Sequence, residues 1–242
     1  MDSASLFTSL IVGLPLLGFI INGLAGLSSP AYRTKKALIG SIANLAVFIP
    51  FLIAFYFFIN ISQESEPIIA TLFTWIQAGD FSANIAYQMD QLSVVMTLVV
   101  TGVGFLIHLY SIGYMWHDEG YWKFFAYLNL FIFAMLNLVM ADNLLLLFLG
   151  WEGVGLCSYL LIGFWYSDMS KAAAGNKAFW YNRVGDFAFL VAMFLTFQHV
   201  GSLNFETILS NLEAIPGDDK FWIAFLMFIG ATGKSAQIPL FV

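Results

Sequence analysis

The sequence predicts an all-α polytopic membrane protein of about seven transmembrane helices, with a short β-hairpin in one outer loop. Two observations carry this. Hydrophobic residues make up 60% of the 242 positions and charged residues only 10%, against about 25% charged in an ordinary soluble domain. Apolar runs long enough to cross a bilayer recur along the whole chain, a pattern that one large water-soluble core does not need.

A membrane helix needs about twenty apolar residues, because a rise of about 1.5 Å per residue has to cover a hydrocarbon core of about 30 Å. The segments that qualify are 6–27, 37–61, 91–114, 121–140, 143–165, 178–200 and 221–242, the last of them cut off at Val242. The first is too long for a signal-peptide core and has Asp2 as its only preceding charge, so it is expected to be retained. Pro15 and Pro50 each remove a backbone donor inside a span and predict kinks that neighbouring helices accommodate.

With the N-terminus outside, Arg33, Lys35, Lys36, Lys123, Lys171, Lys177 and Arg183 fall on or near cytoplasmic connections, and Lys220 alone on an outer one. The outer loop after the second span fits that orientation, carrying Glu64, Glu66, Asp80 and Asp90 without a basic residue. Within it, 71–77 and 82–89 flank Ala78, Gly79 and Asp80, a turn signal that predicts the hairpin. The connection 201–220 sets Leu203, Ile208, Leu209, Leu212 and Ile215 near one helical face and predicts an interfacial helix. Asn60-Ile61-Ser62 matches a glycosylation sequon, but a three-residue match at the end of a span carries no weight. The single cysteine, Cys157, excludes an intrachain disulfide and a thiolate cluster for zinc or iron and sulfur.

An ionisable side chain at the centre of a membrane helix costs about 2.5–3.5 kcal/mol on insertion scales, so each one is a functional candidate. Glu152 lies about nine residues into the fifth span, or about 14 Å at helical rise, near the midplane. Lys234 is similarly deep in the seventh. Asp186 lies in the sixth with Arg183 three residues before it, a spacing that permits an ion pair. Gly150, Gly153 and Gly155 around Glu152 let another helix approach, which places the carboxylate among helices. The plain alternative is a structural ion pair, or a neutral glutamic acid that fixes packing. Pro239 cannot donate to the carbonyl of Ser235, so the seventh helix is interrupted close to Lys234, as at ion pathways, or is simply kinked.

Gly230-Ala231-Thr232-Gly233-Lys234-Ser235 imitates the end of a phosphate-binding loop, but Phe228 stands where the first glycine is required and the segment continues an apolar span. No G-x-G-x-x-G element occurs. His108, His117 and His199 have no ligand spacing to one another. The last two read as interfacial, whereas His108, inside the third span, serves either a proton path or packing. Asn129, Asn137 and Asn182 either hold water or bond neighbouring helices, and the abundant aromatic residues, 26 Phe among them, read mostly as lipid contact and interfacial anchoring.

Ala141-Asp142-Asn143, followed by the run from Gly150-Trp151-Glu152-Gly153-Val154-Gly155 through Leu156-Cys157-Ser158-Tyr159-Leu160-Leu161-Ile162-Gly163, is similar to the fifth-span signature of the large antiporter-like subunits of respiratory complex I, NADH:quinone oxidoreductase. Asn182-Arg183-Val184-Gly185-Asp186 and Gly233-Lys234-Ser235-Ala236-Gln237-Ile238-Pro239 resemble two further signatures, in the right order. The resemblance covers essentially the whole chain. It implies a bundle of two inverted five-helix repeats joined by a midplane row of ionisable residues, of which this chain is an N-terminal fragment. On that division 1–120 holds three helices and the outer hairpin loop, and 121–242 the first part of the proton-translocating repeat. Matched motif to motif, Glu152 corresponds to the family's essential glutamate, Lys234 to the lysine on the broken helix, and Arg183 with Asp186 to the sixth-span pair.

The activity so implied is proton translocation coupled to quinone reduction in other subunits, across a bacterial inner membrane. The chain itself is expected to hold no cofactor and no metal; NADH, FMN, iron-sulfur clusters and quinone belong to other subunits. Its expected partners are other membrane subunits, especially a neighbouring antiporter-like one, and lipid, without nucleic acid. Glu152 and Lys234 are then a coupled pair in which each governs the other's protonation. The rival readings are a large subunit of a multi-subunit cation/proton antiporter and a purely structural membrane subunit.

Overall fold

Each expected span is helical over most of its length in the computed structural model, which describes residues 3–61, 66–79 and 81–241. Asp2, Ser62, Glu64, Asp80 and Val242, all used in the sequence reading, lie outside the described residues. The order is α1 (Ser3–Ser28), α2 (Pro30–Arg33), α3 (Lys36–Asn60), β1 (Ile68–Ala78), β2 (Phe81–Met89), α4 (Gln91–Tyr114), α5 (Tyr121–Val139), α6 (Leu144–Ile162), α7 (Met169–Val200), α8 (Phe205–Ser210), a 3-10 turn (Leu212–Ala214) and α9 (Gly217–Lys234). Five of them, α1, α3, α4, α5 and α6, are long and apolar enough to cross a membrane. The chain is a multi-pass membrane protein.

The sixth and seventh expected spans are present as α7 and α9, with charged residues inside their bounds. α7 starts at Met169, earlier than the apolar run at 178, and so takes in Lys171 and Lys177 as well as Arg183 and Asp186. α9 opens on Asp218 and Asp219 and stops at Lys234. α1 packs against α3 and α5, α3 against α4, α5 against α6, α6 against α7, and α7 against α9.

Polar caps set the helix ends. Asp90 accepts from the Ser93 backbone N–H at 2.8 Å while the Asp90 N–H donates to Ser93 Oγ at 2.7 Å, a reciprocal box that starts α4. Asn143 accepts from the Leu146 N–H at 2.9 Å to start α6. Gly201, with φ +72°, ends α7 in the left-handed conformation that glycine adopts without a Cβ penalty.

The hairpin is longer than its turn signal required. β1 and β2 pair antiparallel from Ile68↔Met89 to Ala78↔Phe81, with irregularities beside Phe73 and Ile76. The far edge of β2 is not left open. Gln88 N–H donates to the Met140 carbonyl at 2.7 Å, and Asp142 N–H to that of Ala86 at 3.3 Å. The same connection meets the one after α7: Leu144 N–H donates to Leu203 O at 2.9 Å and Phe205 N–H to Asp142 O at 3.1 Å. Buried Asp142 takes Asn143 Nδ2 at 2.5 Å and Asn204 Nδ2 at 3.2 Å. Desolvation pushes its carboxyl above the usual range, and those two amides oppose the shift.

The expected interfacial helix is broken. Asn211 separates α8 from the 3-10 turn, leaving Leu203 and Ile215 buried but Leu209 and Leu212 exposed. A single helical face could not satisfy both ends, because Leu203 is already committed to the backbone pairing with Leu144 and Asn204 caps the next helix.

At Gly150 the backbones of α5 and α6 come close together. A Cβ there would lie 2.5 Å from the Leu138 amide nitrogen and 2.8 Å from the Ala134 carbonyl oxygen, both backbone atoms. Gly150→Ala is therefore expected to destabilise the full-length protein by about 1–3 kcal/mol through forced backbone movement. Gly13→Ala, with nothing within 4 Å, leaves thermal unfolding in detergent within about 0.5 kcal/mol of the parent.

Candidate functional site

Three helices converge on the deep ionisable residues. α6 contributes Trp151 and Glu152, α7 contributes Arg183 and Asp186, and α9 ends on Lys234. They approach closely because glycines line the contacts. A Cβ on Gly185 would lie 3.0 Å from the Gly230 carbonyl oxygen, and one on Gly155 would lie 2.8 Å from Lys234 Nζ.

Arg183 forms an ion pair with Glu152, whose side chain is 19% exposed. This corrects the expected pairing of Arg183 with Asp186. Their i,i+3 spacing permits contact, yet Asp186 is only 3% exposed and its Oδ1 accepts from Trp151 Nε1–H at 2.6 Å. The guanidinium lies over the Phe179 ring at 4.8 Å and reaches across to α6. The two carboxylates are thus served crosswise, each by a donor from the opposite helix.

Lys234 Nζ is buried and has no hydrogen-bond partner among the described residues. It stands 5.5 Å from the centre of the Trp151 ring, an interaction worth about 2 kcal/mol when desolvated. Asp186, Glu152 and Arg183 all act on it electrostatically. Two acids and two bases therefore gather where three helices meet, with Asp186 and the Lys234 amine buried and Arg183 at the exposed edge.

The helix carrying the amine ends there. Ser235 N–H still bonds Ala231 O at 2.9 Å, then Ala236 turns left-handed at φ +48° and Gln237 N–H folds back onto Thr232 O at 3.0 Å. The interruption thus precedes the missing donor of Pro239, and the lysine occupies the final helical position. At that end of a helix the backbone carbonyls favour a cation.

His108 is not part of this pocket. Its Nδ1 donates to the Gly104 carbonyl at 2.7 Å, which leaves Nε2 to accept from Asn129 Nδ2 at 3.2 Å, and Asn129 also donates to Ala43 O at 3.1 Å. These bonds tie α3, α4 and α5 together. Trp151 was missed by the sequence reading, which put the aromatics down to lipid and anchoring. It stacks on Phe189 at 5.5 Å, and Phe189 on Phe148 at 5.7 Å, so its face meets the amine while its edge holds Asp186. Its place next to Glu152 was the available signal. Among the described residues no group of three His, Cys, Asp or Glu side chains is placed to hold a metal ion.

Residues 141–242 match the family described as NADH:quinone oxidoreductase/Mrp antiporter, TM, and residues 75–125 match NADH-Ubiquinone oxidoreductase (complex I), chain 5 N-terminus. The chain is 45% identical over 237 residues to NADH-quinone oxidoreductase subunit L of Escherichia coli K12, covering 96% of this chain and 38% of that protein. For the protein of the same name from Mycobacterium tuberculosis H37Rv the identity is 44% over 234 residues, covering 97% and 36%. The chain thus spans less than two fifths of the length of these relatives. Among solved structures it resembles the Mrp complex from Dietzia sp. DQ12-45-1b, with a TM-score of 0.78 and 24% identity over 97% of this chain and 24% of that one. It also resembles the archaeal membrane-bound sulfane sulfur reductase, with a TM-score of 0.76 and 20% identity over 93% and 44%. These two likenesses establish a shared fold.

The indole edge of Trp151 is the group that holds Asp186 in this arrangement. Trp151→Phe keeps the ring stack but leaves the buried carboxylate without that donor, and is expected to lower stability by about 1–3 kcal/mol, measured by thermal unfolding of the full-length protein in detergent.

Proposed function

The chain belongs to the family of antiporter-like membrane subunits of NADH:quinone oxidoreductases and Mrp antiporters, and from that premise we propose that it carries protons across the membrane as part of an NADH:quinone oxidoreductase. The observation that supports this most is the buried Lys234 amine at the end of an interrupted helix, facing Trp151 and within the field of Glu152, Asp186 and Arg183. Lys234 keeps its proton while the two carboxylates stand near it, and yields it when one of them is neutralised or moved. A proton arriving on Glu152 also removes the anion that holds Arg183, so one event disturbs both halves of the crossed pairing.

Moving one charge against about 100 mV takes about 2.3 kcal/mol, so the site has to change the free energy of the Lys234 proton by about that much between its states.

On this reading 121–242 is the proton-carrying part and 1–120 supports it. The N-terminus faces outward across a bacterial inner membrane, and a neighbouring antiporter-like subunit packs beside the chain. NADH, FMN, iron-sulfur clusters and quinone act in other subunits and reach this pocket only through conformational or electrostatic coupling. A second reading, a large subunit of a cation/proton antiporter, draws on the same family description.

NADH oxidation by the purified parent assembly decides between the two, and Glu152→Gln tests the pocket. The variant is expected to lose NADH-driven proton transfer through this subunit; undiminished transfer would refute a central role for the carboxylate. Gly155→Ala probes the amine by itself. Its Cβ would meet only Lys234 Nζ, at 2.8 Å, so the flexible side chain moves and the fold stays intact. Proton transfer is expected to fall while thermal stability stays within about 0.5 kcal/mol of the parent.

A further inference from the structure

We propose that the end of the bundle bearing Lys123 holds an anionic diacyl phospholipid, its phosphate at Lys123 and an acyl chain in the groove between α1 and α5. The inference is independent of the proton-transfer reading.

Two cavities meet at the same pair of residues. One is an apolar groove of about 350 Å³ formed by Phe19, Ile20, Leu24 and Leu27 of α1 with Trp122 and Ala126 of α5. The other, of about 170 Å³, is lined by Tyr159, Tyr166 and Asn176 together with Leu160, Phe164 and Ala172. Lys123 and Tyr127 line both. The site therefore has an oily arm and a polar arm joined at an ammonium, which is the chemical division of a phospholipid.

The more polar arm offers a cation without a paired anion. Lys123 Nζ lies over the rings of Phe164 at 5.2 Å and Tyr166 at 4.8 Å, and among the described residues no carboxylate pairs with it. Asp118 accepts from Trp165 Nε1–H at 2.8 Å and from the Gly120 N–H at 2.6 Å, Asp168 accepts from Ser170 and pairs with Lys171, and exposed Glu119 forms no ion pair with Lys123. Arg33, over the Trp122 ring at 5.4 Å, adds a second cation at the groove's rim. Aromatic faces hold the lysine without neutralising it, so its charge is left for a phosphate oxygen.

The apolar arm suits one leaflet. From Leu27 to Phe19 it covers about 12 Å at helical rise, within half of a hydrocarbon core of about 30 Å. Leu24 and Leu27 are 63% and 66% exposed, so the groove opens sideways toward lipid. A partner helix would fill the apolar arm but would need its own acid to answer Lys123. A basic pocket at a helix boundary with an adjoining acyl groove answers to an anionic lipid.

The test uses the intact parent assembly with a photoactivatable phosphatidylglycerol, mapping labelled peptides by mass spectrometry. Label is expected on peptides containing 19–27 and 122–127. Unlabelled phosphatidylglycerol is expected to displace it, whereas phosphatidylcholine with the same tails and inorganic phosphate do not. Lys123→Gln is expected to lower labelling about fivefold, the factor equivalent to about 1 kcal/mol for one lysine at a membrane surface, and Lys123→Arg to retain it. Equal labelling of Lys123→Gln, or displacement by phosphatidylcholine, overturns the proposal. Displacement by inorganic phosphate reduces the site to an anion pocket and overturns it too, as does a groove left unlabelled because another protein chain covers it.

Discussion

A cation buried inside a membrane bundle is sustained only if the surrounding helices bring it compensating charge and a polarisable face, and the meeting of α6, α7 and α9 answers to that demand. Lys234 has no hydrogen-bond partner among the described residues, so its stabilisation rests on the Trp151 ring and on carboxylates carried by two other helices. None of the three helices could supply this alone. The glycines at 185 and 230 are the enabling condition, since side chains there would push α9 away from α7, while Gly155 leaves room for the amine itself.

The crossed pairing has a further consequence. Because Arg183 of α7 holds Glu152 of α6, while Trp151 of α6 holds Asp186 of α7, the α6–α7 contact is fastened by two polar links running in opposite senses. Trp151 also meets Lys234, so displacement of α9 is felt at Asp186 through one rigid ring. A rigid aromatic that touches both an acid and an amine couples them better than flexible side chains would.

Far from this pocket, the connection at 140–144 plays an organising part. It closes the free edge of β2, joins the connection after α7 and caps α6 through Asn143. Backbone groups at this end find partners in one another, which matters where an open strand edge would otherwise invite pairing with another chain. The opposite end is built on different terms. There Lys123, Lys171 and Arg33 lie over aromatic rings, an arrangement that keeps positive charge at the bundle's rim.

Much of this was legible in one dimension. Hydropathy alone located the spans, since about twenty apolar residues in a row have one economical home, and depth along a span identified Glu152 and Lys234 as costly and therefore purposeful. Composition likewise excluded disulfides, and the turn at Gly79 announced the hairpin. What the chain order could not decide was which helix faces which. Arg183 and Asp186 share a helix face and so looked like partners, but ion pairs follow distance in space, and each found its contact on α6. Trp151 acquired its role only when α7 and α9 packed around it, and the end of α9 was decided by a left-handed turn at Ala236 ahead of the proline. Periodicity reports what one helix offers to its surroundings; packing decides what takes up the offer.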